Sequence, residues 1–210
     1  MIQKTFLALA AWASLTSMAH SELVINIGSV TVDISSGSGM ASASFDVFIE
    51  NVGISSPGDD EVAYGYNLLY DIAPVSPGSY PLGVSLDATT PVESGNLFPG
   101  TIGLNVNQSP AAGDFAVAEA QFTPVTFAAG TNQLLHTVNL QIDRSLAVAG
   151  DYQITIDSSS ASDGISDSLL TVYDPVVNAG VLSITAIPEP SSIGFLAVAG
   201  VALGFRRRRR

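Results

Sequence analysis

Few residues of the chain are of the types that carry nucleophilic or acid–base chemistry. The sequence has no cysteine and only two histidines, of which His20 lies beside a predicted processing site. His136 shares strand parity with Leu134, Val138 and Leu140, which favours a satisfied core or edge histidine over a catalytic base. The sequence contains no phosphate-binding glycine loop, no zinc-type spacing and no Gly-x-Ser-x-Gly motif. We therefore expect neither enzyme activity nor a cofactor.

Carboxylates leave one catalytic class open, because glycoside hydrolysis by paired acids needs only Asp and Glu. The candidate members are Asp71, Glu93, Glu119 and Asp143. No spacing in the sequence brings two of them together. A secreted, carboxylate-based glycosidase acting on exopolysaccharide is therefore the alternative to a non-catalytic protein.

Two acidic stretches could supply the oxygen ligands that calcium requires. The first is Asp59-Asp60-Glu61, which follows Pro57-Gly58. The second runs from Asp157 through Asp163 to Asp167, and Gly164 permits a tight turn among these three aspartates. Neither stretch has the twelve-residue helix-loop-helix spacing, and a solvated acidic loop is the competing interpretation. Asp157, Asp163 and Asp167 are the predicted calcium ligands.

These residues lie in a body that the sequence predicts to be built of strands. Apolar residues alternate with polar ones over 41–49, 62–72, 134–142 and 152–156. The odd positions of the first run face inward, as do Val62, Tyr64, Tyr66 and their even successors in the second. Weaker strand candidates are 23–27, 30–34, 80–86, 102–106, 116–122, 169–172 and 181–186, with turns rich in Gly, Pro, Ser and Asp between them. The pattern predicts an all-β fold, an antiparallel β-sandwich around one core.

The last residues of the chain have a different composition. Pro188-Glu189-Pro190 is followed by the uncharged apolar run Ile193–Phe205 and then by Arg206, Arg207, Arg208, Arg209 and Arg210. Thirteen residues rise only about 20 Å as a helix, against about 30 Å for the hydrocarbon core of a bilayer. Five terminal arginines cannot enter a protein core, but their stems can snorkel to the cytoplasmic surface of a membrane. We therefore predict a short transmembrane helix.

This order of features resembles the PEP-CTERM sorting signal of exported bacterial proteins. The resemblance covers about a tenth of the chain. It implies recognition by an exosortase, a membrane peptidase that cuts near Pro188-Glu189-Pro190 and releases or re-anchors the protein.

The start of the chain agrees with export. Lys4 precedes an apolar run from Phe6 to Leu15, and Ser17-Met18-Ala19 places small residues before a cut after Ala19. These features predict a signal peptide in residues 1–21, removed by the secretion machinery. The predicted domains are then 1–21, a β-sandwich at 22–186 and a sorting signal at 187–210.

The charge of the body excludes one class of partner. Between residues 22 and 187 the chain has Arg144 as its single cation and eighteen carboxylates, a net charge of −17. Phosphate backbones are repelled by such a surface, so nucleic acid is excluded as a partner.

The body itself resembles cohesin-like domains. The aromatic-rich run Tyr64–Asp71 is similar to a strand of that family, and 134–142, 150–154 and 180–184 follow the order of its closing strands. Ile72-Ala73-Pro74 departs from the family, which has proline directly after the aspartate. The resemblance implies a jelly-roll sandwich related to carbohydrate-binding modules. We expect an exported protein that is first held in the membrane and then reaches the cell surface or matrix, where the sandwich acts as a structural, adhesive or carbohydrate-binding module.

Overall fold

A computed structural model describes most of the predicted body. The described residues are 23–35, 37–53, 61–75, 81–98, 103–108, 114–157, 164–166, 172–173 and 175–186. The predicted signal peptide and the sorting signal from residue 187 onward lie outside them. Within the described ranges, no helix is long and apolar enough to cross a bilayer.

The described chain folds into fourteen strands and no helix. In chain order they are β1 (Leu23–Ile27), β2 (Val30–Asp33), β3 (Met40–Asn51), β4 (Glu61–Pro74), β5 (Val84–Leu86), β6 (Val92–Ser94), β7 (Gly103–Gln108), β8 (Phe115–Phe127), β9 (Asn132–Asp143), β10 (Gly150–Asp157), β11 (Gly164–Ser166), β12 (Val172–Tyr173), β13 (Val176–Asn178) and β14 (Gly180–Thr185). The predicted all-β fold class is confirmed.

The strands form two sheets that pack face to face. The first has the order β13-β1-β3-β9-β5, with β6 also paired to β9. The second has the order β12-β11-β4-β10-β14-β2, and β8 joins β4 to β7. We call these the six-stranded and the eight-stranded sheet, counting strands in the described ranges. Apolar side chains from both inner faces close a single core, among them Phe45, Val47, Leu68, Tyr70 and Ile154.

The sequence predicted an antiparallel sandwich, and most strand pairs are antiparallel, but two pairs are parallel. β1 runs parallel to β13 in one sheet, and β2 runs parallel to β14 in the other. The chain crosses between the sheets at Gly28-Ser29, and there Gly180 lies against the Gly28 carbonyl. A Cβ added to Gly180 would come within 2.4 Å of that oxygen, so the close approach requires glycine.

An irregularity in β4 changes which of its residues face the core. The β4–β8 register shifts between Ala63 and Gly65, and a Cβ on Gly65 would meet the Glu119 carbonyl at 2.4 Å. Ala63 is therefore buried, whereas Val62 and Tyr64 are only half-buried. The predicted inward alternation is correct from Tyr66 to Ile72 and wrong before it, because a bulge reverses the parity of the strand.

A second bulge has the same effect in β9. Val47 of β3 pairs with His136 and Phe48 pairs with Leu134, so Leu135 is the extra residue. Leu135 is fully buried and Leu134 is not, contrary to the predicted parity. His136, Val138, Leu140 and Ile142 face the core as predicted.

Three short strands were not predicted. They are β6, β13 and β11, the last of which falls inside a stretch predicted to be a turn. Each has three residues, too few to show a periodicity.

We call the end of the sandwich at which the last strand stops the exit end. β14 stops there at Thr185, and the adjoining strand ends are Asp33 of β2, Pro74 of β4, Asp143 of β9 and Gly150 of β10. The chain therefore leaves the described fold at this end, at residue 186.

Candidate functional site

A buried chain of hydrogen bonds joins the two sheets near the middle of the core. β4 directs Tyr66 and Tyr70 inward, and β9 directs His136 toward them from the opposite sheet. The Tyr70 hydroxyl lies 2.7 Å from His136 Nε2, and His136 Nδ1 lies 3.0 Å from the Tyr66 hydroxyl. Tyr66 donates in turn to Glu119 Oε2 at 3.2 Å, and Ser94 Oγ donates to Glu119 Oε1 at 2.8 Å. We call these five residues the core network.

The pattern of donors and acceptors assigns the protons of the core network. Tyr66 uses its proton on Glu119, so its oxygen must accept from His136 Nδ1–H. The other ring nitrogen, Nε2, then accepts from the Tyr70 hydroxyl. Each hydrogen bond in this chain thereby has one donor and one acceptor, with a neutral imidazole in the Nδ1–H tautomer.

The core network is sealed from solvent except at Ser94, which is half-buried. His136 and Tyr70 are 0% exposed, and Tyr66 and Glu119 are 4% exposed. Burial lowers the pKa of His136 to about 3 and raises the pKa of Tyr70 well above its ordinary value. Burial, followed by the charge of Glu119, also raises the pKa of Tyr66.

Aromatic rings complete the packing around the core network. The Tyr66 ring stacks on His136 at a centroid distance of 5.4 Å, and Tyr70 stacks on Phe115 at 4.7 Å. A substrate cannot reach His136 through this packing, so the arrangement supports a structural polar core and not a general base. The sequence favoured this interpretation of His136.

A different cluster lies on the outer surface of the eight-stranded sheet. Asp71 of β4 is one residue past Tyr70 and faces the opposite way. Asp114, Thr155 and Asp157 line the same shallow groove, whose volume is about 390 Å³. Burial and the neighbouring Asp114 carboxylate, with a smaller effect of Asp157, raise the pKa of Asp71. We call Asp71, Asp114 and Asp157 the acidic cluster.

The surface beside the acidic cluster has small side chains. Ala116, Ala118 and Ala120 alternate along β8, opposite Leu69, Asn67 and Gly65 of β4. These alanines are partly exposed, as is Leu69. A partly apolar sheet face with an acidic rim can contact a macromolecule, and among the described residues the groove on it is shallow.

A second groove, of about 600 Å³, lies between β2 and the outer surface of the six-stranded sheet. Its polar lining consists of Thr31, Ser42, Ser44, Asp87, Thr89, Thr90 and Asn139. Some of these groups bind one another: Asn139 Nδ2 donates to the Thr90 carbonyl at 2.9 Å, and the Thr89 and Thr90 amides donate to Asp87.

The four carboxylates proposed for glycoside hydrolysis lie in four separate places. Glu119 is in the sealed core, and Asp71 is on the outer surface of the eight-stranded sheet. Glu93 is exposed on β6 and accepts from Asn139, and Asp143 caps the turn after β9 through Ser145. Asp71 lies beside two other carboxylates, Asp114 and Asp157, which were not predicted to be its partners. The β4–β10 register, which places Thr155 opposite Asp71, is the signal that could have found Asp157.

The predicted calcium ligands are only partly described. Asp157 ends β10 and belongs to the acidic cluster, while Asp163 and Asp167 lie outside the described residues, as do Asp59 and Asp60. Within the described ranges, no three Asp, Glu or His side chains are arranged to hold a metal ion. The calcium site stays a prediction.

The predicted sorting residues, Pro188-Glu189-Pro190 and the terminal arginines, also lie outside the described residues. A family described as the PEP-CTERM protein-sorting motif matches residues 186–210. The chain ends in a PEP-CTERM motif. The motif begins one residue after β14, the last strand of the sandwich.

The sandwich itself is similar in structure to cohesins. The third cohesin of ScaC from Acetivibrio cellulolyticus, solved with the ScaB dockerin, superposes with a TM-score of 0.52 at 18% identity, over 78% of this chain and 99% of that one. A type III cohesin from the ScaE scaffoldin of Ruminococcus flavefaciens gives 0.52 at 12% identity, over 79% and 89%. A type I cohesin from Clostridium thermocellum gives 0.51 at 16% identity, over 78% and 99%. No curated protein matches the chain. At these identities the likeness shows the fold, and both predicted resemblances are confirmed.

Proposed function

We propose that this is an exported envelope or extracellular-matrix protein, sorted by an exosortase, whose sandwich is a non-catalytic structural or adhesive module. The observation that carries the proposal is the direct junction of a PEP-CTERM motif at residue 186 to a cohesin-like sandwich that ends at Thr185. The secretion machinery delivers the chain, the tail holds it in the membrane, and the exosortase then passes the sandwich to the cell surface or matrix.

The structure of the sandwich favours binding over catalysis. Its one histidine among the described residues is sealed in the core network. Its described carboxylates either diverge or, in the acidic cluster, repel one another on an open surface. The outer face formed by β8, β4 and β10 is the surface we assign to a macromolecular partner. The cohesin of Acetivibrio cellulolyticus was solved with a dockerin, so this fold can support protein binding. We assign no dockerin to this chain.

A carbohydrate ligand is the second candidate, and the groove beside β2 favours it. Hydroxyl and amide groups of Thr31, Ser42, Ser44 and Asn139 line an open volume of about 600 Å³. The hydroxyls can both donate to and accept from sugar hydroxyls, whereas the Asn139 N–H groups already donate to the Thr90 carbonyl and to Glu93. A polysaccharide chain is the ligand class that an open groove on a sheet would accommodate.

The sorting half of the proposal is tested by replacing Pro188, Glu189 and Pro190 with alanine in the full chain. Export should continue, because the leader drives translocation. The protein should accumulate as a membrane-held form with its tail uncut, since the peptidase can no longer read the motif. The measurement is the mass and fractionation of the protein in the native host.

The matched control replaces Ser191 and Ser192 with alanine, which alters the same spacer without touching the motif. This variant should be processed normally. Normal release of the triple-alanine variant would contradict the assignment.

The non-catalytic half is tested with the purified protein and exopolysaccharide. Retention of the protein by the polysaccharide without sugar release is expected for a binding module. Release of reducing sugar that is abolished by Asp71→Asn would establish the glycosidase instead.

A further inference from the structure

Exposed apolar side chains are concentrated at the exit end of the sandwich. Eight large apolar side chains are exposed among the described residues, and five of them lie at this end: Met40, Val75, Leu82, Leu146 and Val148, each 52–61% exposed. We call these five residues the apolar tip. The other three are Val52, Phe122 and Val176.

Hydrogen bonds and strand registers place the five residues together. Met40 begins β3 opposite Asp143, where β9 ends. The Asp143 amide donates to the Gly83 carbonyl, beside Leu82, and Gly83 lies against Leu146. On the other sheet, the Val75 amide donates to the Asp151 carbonyl at 3.0 Å. Tyr152 donates to the Val148 carbonyl at 2.9 Å.

The same end carries the only cation of the body. Arg144 follows Asp143 and lies across the turn that contains Gly37. Its amide donates to the Gly39 carbonyl, next to Met40. Arg144 is itself half-buried and its charge acts on Asp33, where β2 ends, so the exposed aliphatic side chains, and not the guanidinium, provide the contact that suits a lipid interface.

The course of the chain brings this end to a membrane. β14 stops at Thr185, and Ile187–Ser192 separates the sandwich from the apolar run Ile193–Phe205. Six residues span at most about 20 Å when fully extended. If the apolar run is in the bilayer, as the proposed function requires, the exit end cannot be far from the lipid surface. A tether this short also gives a high effective concentration, so a weak contact can be populated.

We propose that the apolar tip rests on the lipid surface while the sorting segment is membrane-held, and so docks the sandwich end-on. The inference rests on the proposed function for its anchor and adds the contact surface and its partner, a zwitterionic bilayer interface. Anionic lipid would repel a body whose net charge is −17, so the contact depends on apolar insertion and on the tether.

The test uses the full chain in phosphatidylcholine vesicles with a quencher carried on the lipid. The sequence has no cysteine, so a single introduced cysteine gives one labelling site. Leu146→Cys places a fluorophore on the apolar tip. Val52→Cys is the matched control, because Val52 is 45% exposed and follows Asn51, which pairs with Leu23 at the opposite end. Val75→Cys repeats the tip measurement on the other sheet, and thermal melts check that each variant folds.

Lipid quenching should be several-fold stronger at Leu146→Cys and Val75→Cys than at Val52→Cys, in protein that floats with the vesicles. Floating protein without quenching at the tip would overturn the end-on contact and leave the membrane anchor intact. Equal quenching at both ends would overturn the end-on contact, because it would mean that the sandwich lies with its long side on the lipid surface. A tip cysteine that resists labelling by thiol reagents would show that another part of the chain covers the tip, and would overturn the lipid contact. Protein that does not float would refute the membrane anchor and the contact together.

Discussion

Tyr70 and Asp71 are neighbours on β4, yet they belong to opposite kinds of polar environment. Tyr70 is fully buried and donates to His136, within a chain of paired hydrogen bonds. Asp71 is half-buried on the outer face, where burial and the Asp114 carboxylate raise its pKa, and its buried Oδ1 has no hydrogen-bond partner. The alternation of one strand therefore separates a polar group that stabilises the fold from one that opposes it.

The difference separates a face that stabilises the fold from the face that we propose for binding. A buried polar group must be paired, because an unpaired one costs about 1–3 kcal/mol. An exposed carboxylate cluster has no structural need to exist, and mutual repulsion makes it mildly unfavourable. Unfavourable surface groups of this kind are more often found at binding sites than elsewhere.

The largest expected effect tests the inward face. Phe45 is 3% exposed and its ring lies 6.4 Å from that of Tyr70. Phe45→Ala should destabilise the protein by about 3–5 kcal/mol through lost burial and a cavity. That is a large part of the roughly 5–15 kcal/mol of a typical domain. Urea unfolding measures the change.

Ser44 provides the matched control one residue away, since it is exposed on the outer face. Ser44→Ala should change the free energy of unfolding by less than about 0.5 kcal/mol. Similar losses from both substitutions would mean that the two faces of β3 are not distinguished as described.

Strand alternation predicted the inward face wherever the strands are regular. Phe45 and Val47 of β3, and Tyr152 and Ile154 of β10, are buried as their parity requires. The same rule failed at Tyr64 and Leu134, because the pairing register shifts beside each of them. A single sequence does not show which strand will be the partner, so the position of a bulge is hidden from it.

The sites were predicted less well than the fold. The sorting motif was found from contiguous letters, since its chemistry needs no tertiary structure. The core network needed four strands, and only the parity of Glu119 with Phe115 and Val117 on β8 hinted that this carboxylate points inward. The acidic cluster required the pairing of β4 with β10, which alternation alone does not supply.

The second prediction concerns the sealed imidazole. The pKa of His136 is about 3 in the fold, against an ordinary value near 6.5. The unfolded chain therefore binds one more proton than the fold between these values, and stability falls as the pH drops below about 6.5. Between pH 7 and pH 4.5 this single group should remove about 2–3 kcal/mol of stability.

His136→Gln isolates the contribution of this imidazole to the pH dependence of stability. Glutamine does not titrate, and all other titratable groups are the same in the two proteins. The wild type should be the more stable protein at pH 7, and its advantage should shrink by that amount at pH 4.5. A constant difference across the range would show that the imidazole is not sealed in the fold.

The smallest expected effect tests the outer face. Because its pKa is raised in the fold, the ionised Asp71 carboxylate opposes folding at neutral pH, so Asp71→Asn should raise the melting temperature slightly. The gain should be less than about 1 kcal/mol, since the groove is open to solvent. It should fade as the pH falls through the carboxyl pKa, where the wild-type group becomes neutral. Asp151→Asn removes the same charge from the neighbouring strand but replaces the charge-assisted hydrogen bond from Ser183 Oγ, at 2.7 Å, with a weaker one to a neutral amide oxygen, so it should not stabilise. If both variants gain equally, relief of general self-repulsion explains the result, and the acidic cluster is no more strained than the rest of the surface.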